Sequence, residues 1–228
     1  MAKVVMIYGQ PGSGKGTQAY LLEAVRGFFH FDTGMHLEQV VRDPANKNNK
    51  KIQHERKLFD SGILLTPSWV LGIVQKKAGE LAAAGSDLVF SGSPRTLFEA
   101  FGDSKNQGLI AFLKKAYGRK NMHFFVLRVS EKTSIWRNSH RLVCSTCGAP
   151  VLYHKNRTQH CPFCASPLRQ RSLDKPDIIR KRLREYEERT APILSKLKNQ
   201  GFKINYLNGE PAPYKVFKNV LKKLESRN

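Results

Sequence analysis

The sequence predicts an α/β fold in which a parallel sheet carries helices on both faces. Short apolar runs typical of buried strands alternate along the chain with longer segments whose apolar residues recur at helical spacing. Parallel strands need crossover connections, so this order favours a doubly wound sheet that binds ligands at the carboxyl ends of its strands. The 228 residues are enough to bury a sizeable core. We therefore expect the functional residues in the loops that follow the strands.

Five apolar runs are the predicted strands. Each is rich in Val, Ile, Leu or Phe, the residue types that suit a strand buried on both faces. In order they are residues 4–8, 28–31, 88–90, 124–129 and 203–207.

The predicted helices lie between these runs and after the last one. Their apolar residues recur at three- and four-residue intervals, which places them on one face of a helix. In order they are residues 16–26, 35–42, 50–60, 68–84, 109–117, 136–140, 175–199 and 213–225. Residues 143–170 have no regular apolar periodicity, so something other than a core is expected to hold them.

A glycine-rich loop follows the first strand directly, with the sequence Gly-Gln-Pro-Gly-Ser-Gly-Lys-Gly-Thr over residues 9–17. Its glycines let successive backbone N–H groups turn inward around phosphate oxygens. A lysine in the loop adds a point charge, and the helix that follows adds its positive N-terminal end. The loop is thus a P-loop, and we expect it to bind nucleotide phosphate through Gly12, Ser13, Gly14, Lys15, Gly16 and Thr17.

Four cysteines form the second strong motif. Cys144 and Cys147 make one Cys-x-x-Cys pair, and Cys161 and Cys164 make another after thirteen intervening residues. This spacing is typical of a structural zinc site with four thiolate ligands. An insert of this size cannot build its own core, so we expect bound zinc to hold its fold.

Composition narrows the class of protein. No apolar run reaches the ~20 residues of a membrane-spanning helix, and the first residues lead into a strand without a signal region. Together with clustered, metal-type cysteines, this predicts a cytoplasmic protein. The net charge of +21 suits an enzyme that attracts anionic substrates, and a nucleic-acid partner is also possible.

The P-loop and the cysteine pairs together resemble the adenylate kinase family in its long, zinc-lidded form. The resemblance covers nearly the whole chain through residues 9–17, 32–34, 62–67, 92–96, both cysteine pairs, 170–171, 174, 180–183, 186, 190–192 and 208–209. It implies a P-loop core of residues 1–31, 67–142 and 171–228. It also implies a helical insert of residues 32–66 that binds a nucleoside monophosphate, and a zinc-binding lid of residues 143–170.

The resemblance further implies an enzyme that moves the terminal phosphoryl group of ATP to a nucleoside monophosphate, with AMP as the default acceptor. Magnesium and structural zinc would be its metals, and it would act as a monomer. The site residues implied by position are Lys15 for the ATP phosphates, Arg137 against the adenine of ATP, Arg95 with Thr33, Gly92 and Glu99 for the monophosphate, and Arg141, Arg171 and Arg182 around the transferred phosphoryl group.

Five positions depart from the family pattern. The family's Thr-Gly-Asp-x-x-Arg motif has Met35 in place of its aspartate and Glu38 in place of its arginine. Asp-Gly-Phe-Pro-Arg begins here with Ser91, so the carboxylate that organises magnesium is lost. Glu99 stands where the family has an adenine-reading glutamine, and Leu173 replaces the first of two lid aspartates.

These departures leave alternatives open. A carboxylate at Glu99 can accept hydrogen bonds from guanine but cannot donate to N1 of adenine, which gives a weak indication of GMP as acceptor. The lost carboxylates also allow a catalytically weak nucleotide-binding protein with an RNA or protein partner.

Overall fold

The computed structural model describes residues 2–147, 149–151, 159–170 and 174–226. Its central sheet has five parallel strands in the order β2-β3-β1-β4-β8. These strands are β1 (Val4–Tyr8), β2 (Phe29–Phe31), β3 (Leu88–Phe90), β4 (Met122–Arg128) and β8 (Ile204–Asn208). Every predicted strand is present, and the doubly wound α/β prediction is confirmed.

Ten α-helices lie within the described ranges. They are α1 (Lys15–Arg26), α2 (Thr33–Arg42), α3 (Lys50–Asp60), α4 (Pro67–Ala83), α5 (Leu97–Phe101), α6 (Leu109–Tyr117), α7 (Glu131–His140), α8 (Pro176–Glu185), α9 (Ala191–Asn199) and α10 (Pro213–Glu225). The 32–66 segment is helical as expected, with α2 and α3 joined by a 3-10 turn at Pro44–Asn46. In the described part of the chain, none of these helices is both long and apolar enough to cross a membrane.

The alternating side chains of β1 explain why helices cover both faces of the sheet. Met6 packs in a core cluster with side chains of α4, α6 and α9, whereas Ile7 packs in a second cluster with side chains of α1 and α10. Because successive strand residues point to opposite faces, a fully apolar strand needs an apolar helix on each side. The sheet is thus a buried platform whose carboxyl edge is open to a ligand.

The predicted helix over residues 175–199 is wrong in one respect, because it is not one continuous α-helix. A π-helical turn at Tyr186–Thr190 separates α8 from α9, and Pro192 lies in the first turn of α9. Proline has no N–H to donate to the preceding turn, so the α-helical ladder cannot continue through it. The wide turn places Tyr186 and Thr190 at a cavity wall.

Three short strands were absent from the sequence prediction. They are β5 (Leu142–Cys144), β6 (Pro150–Val151) and β7 (Leu168–Arg169), and they form a small antiparallel sheet with β5 in the middle. They lie in or next to residues 143–170, which have no regular apolar periodicity, so these short strands cannot be told from loop by sequence alone. Cys144 is the last residue of β5, so the sheet adjoins the first cysteine pair.

Candidate active site

A cavity of about 780 Å³ opens at the carboxyl edge of the central sheet. Its floor is formed by the ends of β1, β2 and β3 and by the P-loop, and its walls include residues of α2, α7, α8 and the cysteine-bearing segment. This is the place where an open α/β sheet binds its ligands. Its volume suits nucleotide-sized ligands.

The P-loop turns through conformations that favour glycine. Gly9 has a φ of +143° and Gly12 a φ of +78°. A Cβ on Gly9 would lie 2.5 Å from the carbonyl oxygen of Leu127, and one on Gly12 would lie 2.7 Å from the carbonyl oxygen of Ser134. The loop therefore packs tightly against β4 and α7, and α1 begins within the motif at Lys15.

Lys15 is half-buried and folds back over the loop. Its ammonium donates to the carbonyl oxygen of Gly9 at 2.6 Å and to that of Gln10 at 2.9 Å. Burial lowers the pKa of Lys15 well below its usual value, and the nearby charges of Arg95, Arg182 and Arg141 lower it further. A negatively charged ligand beside Lys15 would offset the repulsion from these three arginines. The site therefore favours the binding of phosphate.

Arginines from three elements converge on the same cavity. Arg95 follows β3 and donates through Nε to the carbonyl oxygen of Gly92 at 2.6 Å. Arg141 follows α7 and Arg182 lies in α8, and both line the cavity. Arg171, the fourth predicted arginine, lies outside the described residues.

A buried carboxylate holds two of these arginines in place. Asp174 accepts from Nε and Nη2 of Arg141 at 3.0 and 2.6 Å, and its Oδ1 lies 3.6 Å from Nη1 of Arg182. The Asp174 side chain has no exposed surface. Bidentate pairing of this kind fixes the direction of a guanidinium group.

Hydrogen bonds to backbone carbonyl groups hold the Arg137 side chain. It donates to the carbonyl oxygens of Gly209 and Glu210, each at 2.9 Å. The side chain thereby ties α7 to the loop after β8 beside the P-loop. Gly12, Ser13, Gly14, Gly16 and Thr17 line the cavity on this side.

The side of the cavity formed by α2 holds the predicted acceptor residues. A Cβ on Gly92 would lie 3.1 Å from Nη2 of Arg95 and 3.6 Å from Cβ of Thr33, so these three residues are neighbours. Thr33 is buried at the start of α2, next to the cavity wall rather than in it. The exposed apolar residues Met35 and Ile63 line the cavity here.

Glu38 lies on α2 within reach of two arginines. Its Oε1 is 3.4 Å from Nε of Arg42 and 4.0 Å from Nη2 of Arg169. The charge reversal at this position is therefore balanced by positive side chains of the protein.

Ser91, in the position of the lost carboxylate, has a histidine partner. Its Oγ lies 2.8 Å from Nε2 of His30, which comes from the neighbouring strand β2. Burial lowers the pKa of His30, so the neutral imidazole is favoured. The pair leaves a neutral polar surface at the strand ends where the family pattern has a negative charge.

Glu99 is buried beside the cavity and does not line it. Its Oε2 accepts from the backbone N–H of Arg95 at 2.9 Å, and its Oε1 accepts from the hydroxyl of Thr96 at 3.0 Å. Burial raises the pKa of Glu99. In this arrangement the carboxylate caps α5 and holds the backbone of Arg95, and it turns no atom toward a base.

The four cysteines come together as a candidate zinc centre. The Sγ atoms of Cys144 and Cys164 are 3.4 Å apart, those of Cys147 and Cys161 are 3.7 Å apart, and all four lie within 4.8 Å of one another. Tetrahedral zinc with bonds of about 2.3 Å needs sulfur atoms about 3.8 Å apart. The donor set therefore fits the metal. Backbone N–H groups of Cys147 and Phe163 also point at the sulfurs of Cys144 and Cys161, which favours thiolates.

Several cavity residues were not singled out from the sequence. Tyr8 ends β1 and Ser93 follows β3, and His30 lies near the end of β2. They could have been predicted from their position in the sequence, because residues at the carboxyl ends of parallel strands face the ligand crevice. Trp136, in α7, is 46% exposed at the cavity wall.

Comparisons with known proteins agree with this architecture. A sequence model of the adenylate kinase family matches residues 7–202. The chain is 32% identical over 219 residues to the adenylate kinase of Chlamydia pneumoniae, with 96% of each chain covered. It is 30% identical over 225 residues to that of Syntrophomonas wolfei, with 97% of this chain and 99% of the relative covered. Because the family model covers most of the chain and the relatives are this similar over nearly their whole length, the chain belongs to the adenylate kinase family.

Proposed function

We propose that this protein is an adenylate kinase, which transfers the terminal phosphoryl group of ATP to AMP and so forms two molecules of ADP. The observation that carries the proposal is the convergence of Lys15, Arg95, Arg141 and Arg182 on one cavity beside a P-loop. Phosphoryl transfer needs positioning and charge neutralisation more than a covalent residue. The adenylate kinase names of the relatives support the same reaction.

The cavity divides between two nucleotides in this proposal. The P-loop would hold the phosphates of ATP, with Arg137 at its adenine. Arg95, beside Thr33 and Gly92, would hold the phosphate of AMP. Arg141 and Arg182, fixed by Asp174, would face the phosphoryl group between them.

Magnesium would be held mainly by phosphate oxygens and water, because Ser91 replaces the carboxylate. The hydroxyls of Thr17 and Ser91 can hydrogen-bond to its water ligands. The ion would supply charge neutralisation on the transferred phosphoryl group. Zinc would be structural, with Cys144, Cys147, Cys161 and Cys164 as ligands.

Charge and cysteine state support the proposals on substrates, compartment and partners. The excess of 39 basic over 18 acidic residues would draw anionic nucleotides toward the cavity. Four free thiols suit a reducing cytosol. A monomer is proposed, as the family resemblance implies. An RNA partner would use exposed Tyr214, whose ring lies 6.0 Å from the ammonium groups of Lys215 and Lys218.

A coupled phosphotransfer assay tests the proposed acceptor. ATP and magnesium are supplied with AMP, GMP, CMP or UMP in turn, and formation of diphosphate is followed. AMP should give the highest kcat/KM. A higher value with GMP would favour the second acceptor considered above, and no transfer to any monophosphate would favour a nucleotide-binding protein without kinase activity. Neither alternative is supported by the names of the relatives.

A further inference from the structure

Besides Oγ of Ser13 in the P-loop, two buried hydroxyl groups that line the cavity have no hydrogen-bond partner within the described residues. They are the phenol of Tyr8, at the end of β1, and Oγ of Ser93, in the loop after β3. Both residues line the cavity, and they are only 4% and 6% exposed. An unpaired buried hydroxyl destabilises a fold, so most are satisfied by the protein or by something that binds to it.

The surroundings of Tyr8 place it on the acceptor side. Burial raises the pKa of its phenol, and the nearby Glu99 and Tyr186 raise it further. The phenol is therefore a neutral hydroxyl at all ordinary pH values, able to donate and to accept one hydrogen bond. Glu99 accepts from the backbone N–H of Arg95, the proposed ligand of the monophosphate, so the Tyr8 phenol lies near the acceptor residues.

Ser93 lies in the same region. It is two residues before Arg95, the proposed ligand of the monophosphate, and it stands where the family motif has phenylalanine. Serine is smaller than phenylalanine, so this position offers a ligand more space and a hydroxyl group in place of an aromatic ring. Glu99 has both carboxylate oxygens engaged within the protein, so it offers the acceptor no free atom in this arrangement.

We propose that the hydroxyls of Tyr8 and Ser93 form a polar contact site for the nucleoside of the acceptor monophosphate and help determine its affinity. The inference rests on the proposed function for the identity of the acceptor. In this proposal the two hydroxyls contact the acceptor nucleoside. Glu99 does not, because both of its carboxylate oxygens accept hydrogen bonds within the protein. It also explains why the fold retains two hydroxyls that find no partner inside it.

Binding measurements on Tyr8→Phe and Ser93→Ala test the site. Each variant removes one oxygen and leaves the remaining shape intact. Isothermal titration calorimetry with AMP, GMP, CMP and UMP is run without ATP, so no turnover is needed. The variants are then compared on the monophosphate that binds the wild type most tightly. We expect each variant to bind it about threefold to tenfold more weakly, since one hydrogen bond is lost. Affinity for ATP should stay within about twofold.

Thermal stability supplies a second, independent readout. A hydroxyl without an internal partner costs stability, so Tyr8→Phe should melt at the same temperature as the wild type or higher. Tyr117→Phe is the matched control, because the Tyr117 hydroxyl donates to the carbonyl oxygen of Ser86 at 3.2 Å and lies away from the cavity. That variant should melt lower and bind the monophosphate normally.

Three results would overturn the proposal. Wild-type monophosphate affinity in a variant would remove that hydroxyl from the site. An equal loss for ATP and monophosphate would indicate general damage to the cavity, and a Tyr8→Phe protein as destabilised as Tyr117→Phe would mean that the phenol is satisfied within the protein. A wild type that binds the monophosphate without turnover would count against the proposed function only. One that binds no monophosphate at all would count against both.

Discussion

Glu38 of α2 and Arg169 of β7 form an ion pair between the helical insert and the cysteine-bearing segment, with Oε1 of Glu38 4.0 Å from Nη2 of Arg169. Arg42 lies 3.4 Å from the same oxygen. Glu38 stands where the family pattern has a phosphate-binding arginine, so an unpaired carboxylate there would repel the acceptor. The two arginines would offset that repulsion, so Glu38 is compatible with the proposed role of Arg95 as the phosphate ligand.

The first prediction concerns this charge reversal. Glu38→Arg should lower the KM for AMP by about threefold to tenfold, because a charge-assisted bond to phosphate is added. Glu38→Gln is the control, since it removes the ion pair without adding a positive charge, and it should change the KM for AMP little. Steady-state kinetics at saturating ATP measures both. An unchanged KM in Glu38→Arg would mean that position 38 does not face the acceptor phosphate.

The second prediction concerns Lys15. Lys15→Met should lower kcat by roughly a hundredfold or more, because the lysine stabilises the negative charge that develops on the phosphates during transfer. The fold should persist, since the ammonium group of Lys15 donates to carbonyl groups of the loop and, within the described ranges, to no strand or helix of the core. Circular dichroism and turnover are measured on the same sample. Turnover close to that of the wild type would show that the P-loop lysine has been assigned wrongly.

A third prediction follows from the lowered pKa of Lys15. The unfolded chain binds this proton more tightly than the folded protein does, so wild-type stability should rise with pH between the lowered pKa and about 10.5. The melting temperature of wild type minus that of Lys15→Met should therefore increase from pH 7 toward pH 10. Saturating ATP should flatten the rise, because phosphate favours the charged lysine. A difference that falls with pH would contradict the inferred electrostatics.

Much of this arrangement could be read from the sequence because its signals are local. The P-loop is one continuous segment, and each cysteine pair lies within four residues. Both patterns depend on spacing within a short segment, so both can be recognised from the sequence alone. The central strands were found for a similar reason, since each is a contiguous apolar run.

Contacts between distant segments could not be predicted in this way. The pairing of Arg141 with Asp174 joins residues thirty-three positions apart, and the contact of His30 with Ser91 spans sixty-one. The motif gives only a weak indication that Glu99 contacts a base, whereas in the structure its carboxylate is buried and accepts from the N–H of Arg95. Such orientations depend on packing, which no single motif contains.

The fourth prediction concerns zinc. Cys161→Ser should remove a metal ligand and lower the melting temperature by about 5 to 10 °C, because metal affinity is folding energy in a segment without its own core. Ser145→Ala, between the two cysteines of the first pair, should change neither metal content nor melting. Metal analysis should find one zinc per wild-type chain. A wild type without zinc, or with the absorbance of an iron–sulfur cluster, would contradict the assignment.

The fifth prediction concerns magnesium. Ser91→Asp should lower the magnesium concentration for half-maximal activity by about threefold or more, since a carboxylate holds the ion's water ligands better than a hydroxyl does. Turnover is followed while magnesium is varied at constant ATP. Ser91→Ala serves as the control and should not lower that concentration. A Ser91→Asp enzyme with the magnesium dependence of the wild type would mean that this position lies away from the ion.

The central claim is tested most directly by supplying purified protein with ADP and magnesium alone. Two ADP molecules bound in the two halves of the cavity should react, so chromatography should find ATP and AMP appearing in equal amounts until an equilibrium mixture is reached. The Lys15→Met protein, prepared in the same way, should form neither at a comparable rate. Appearance of AMP and free phosphate without ATP, or ADP that remains unchanged with active wild-type protein, would contradict the assignment of adenylate kinase activity.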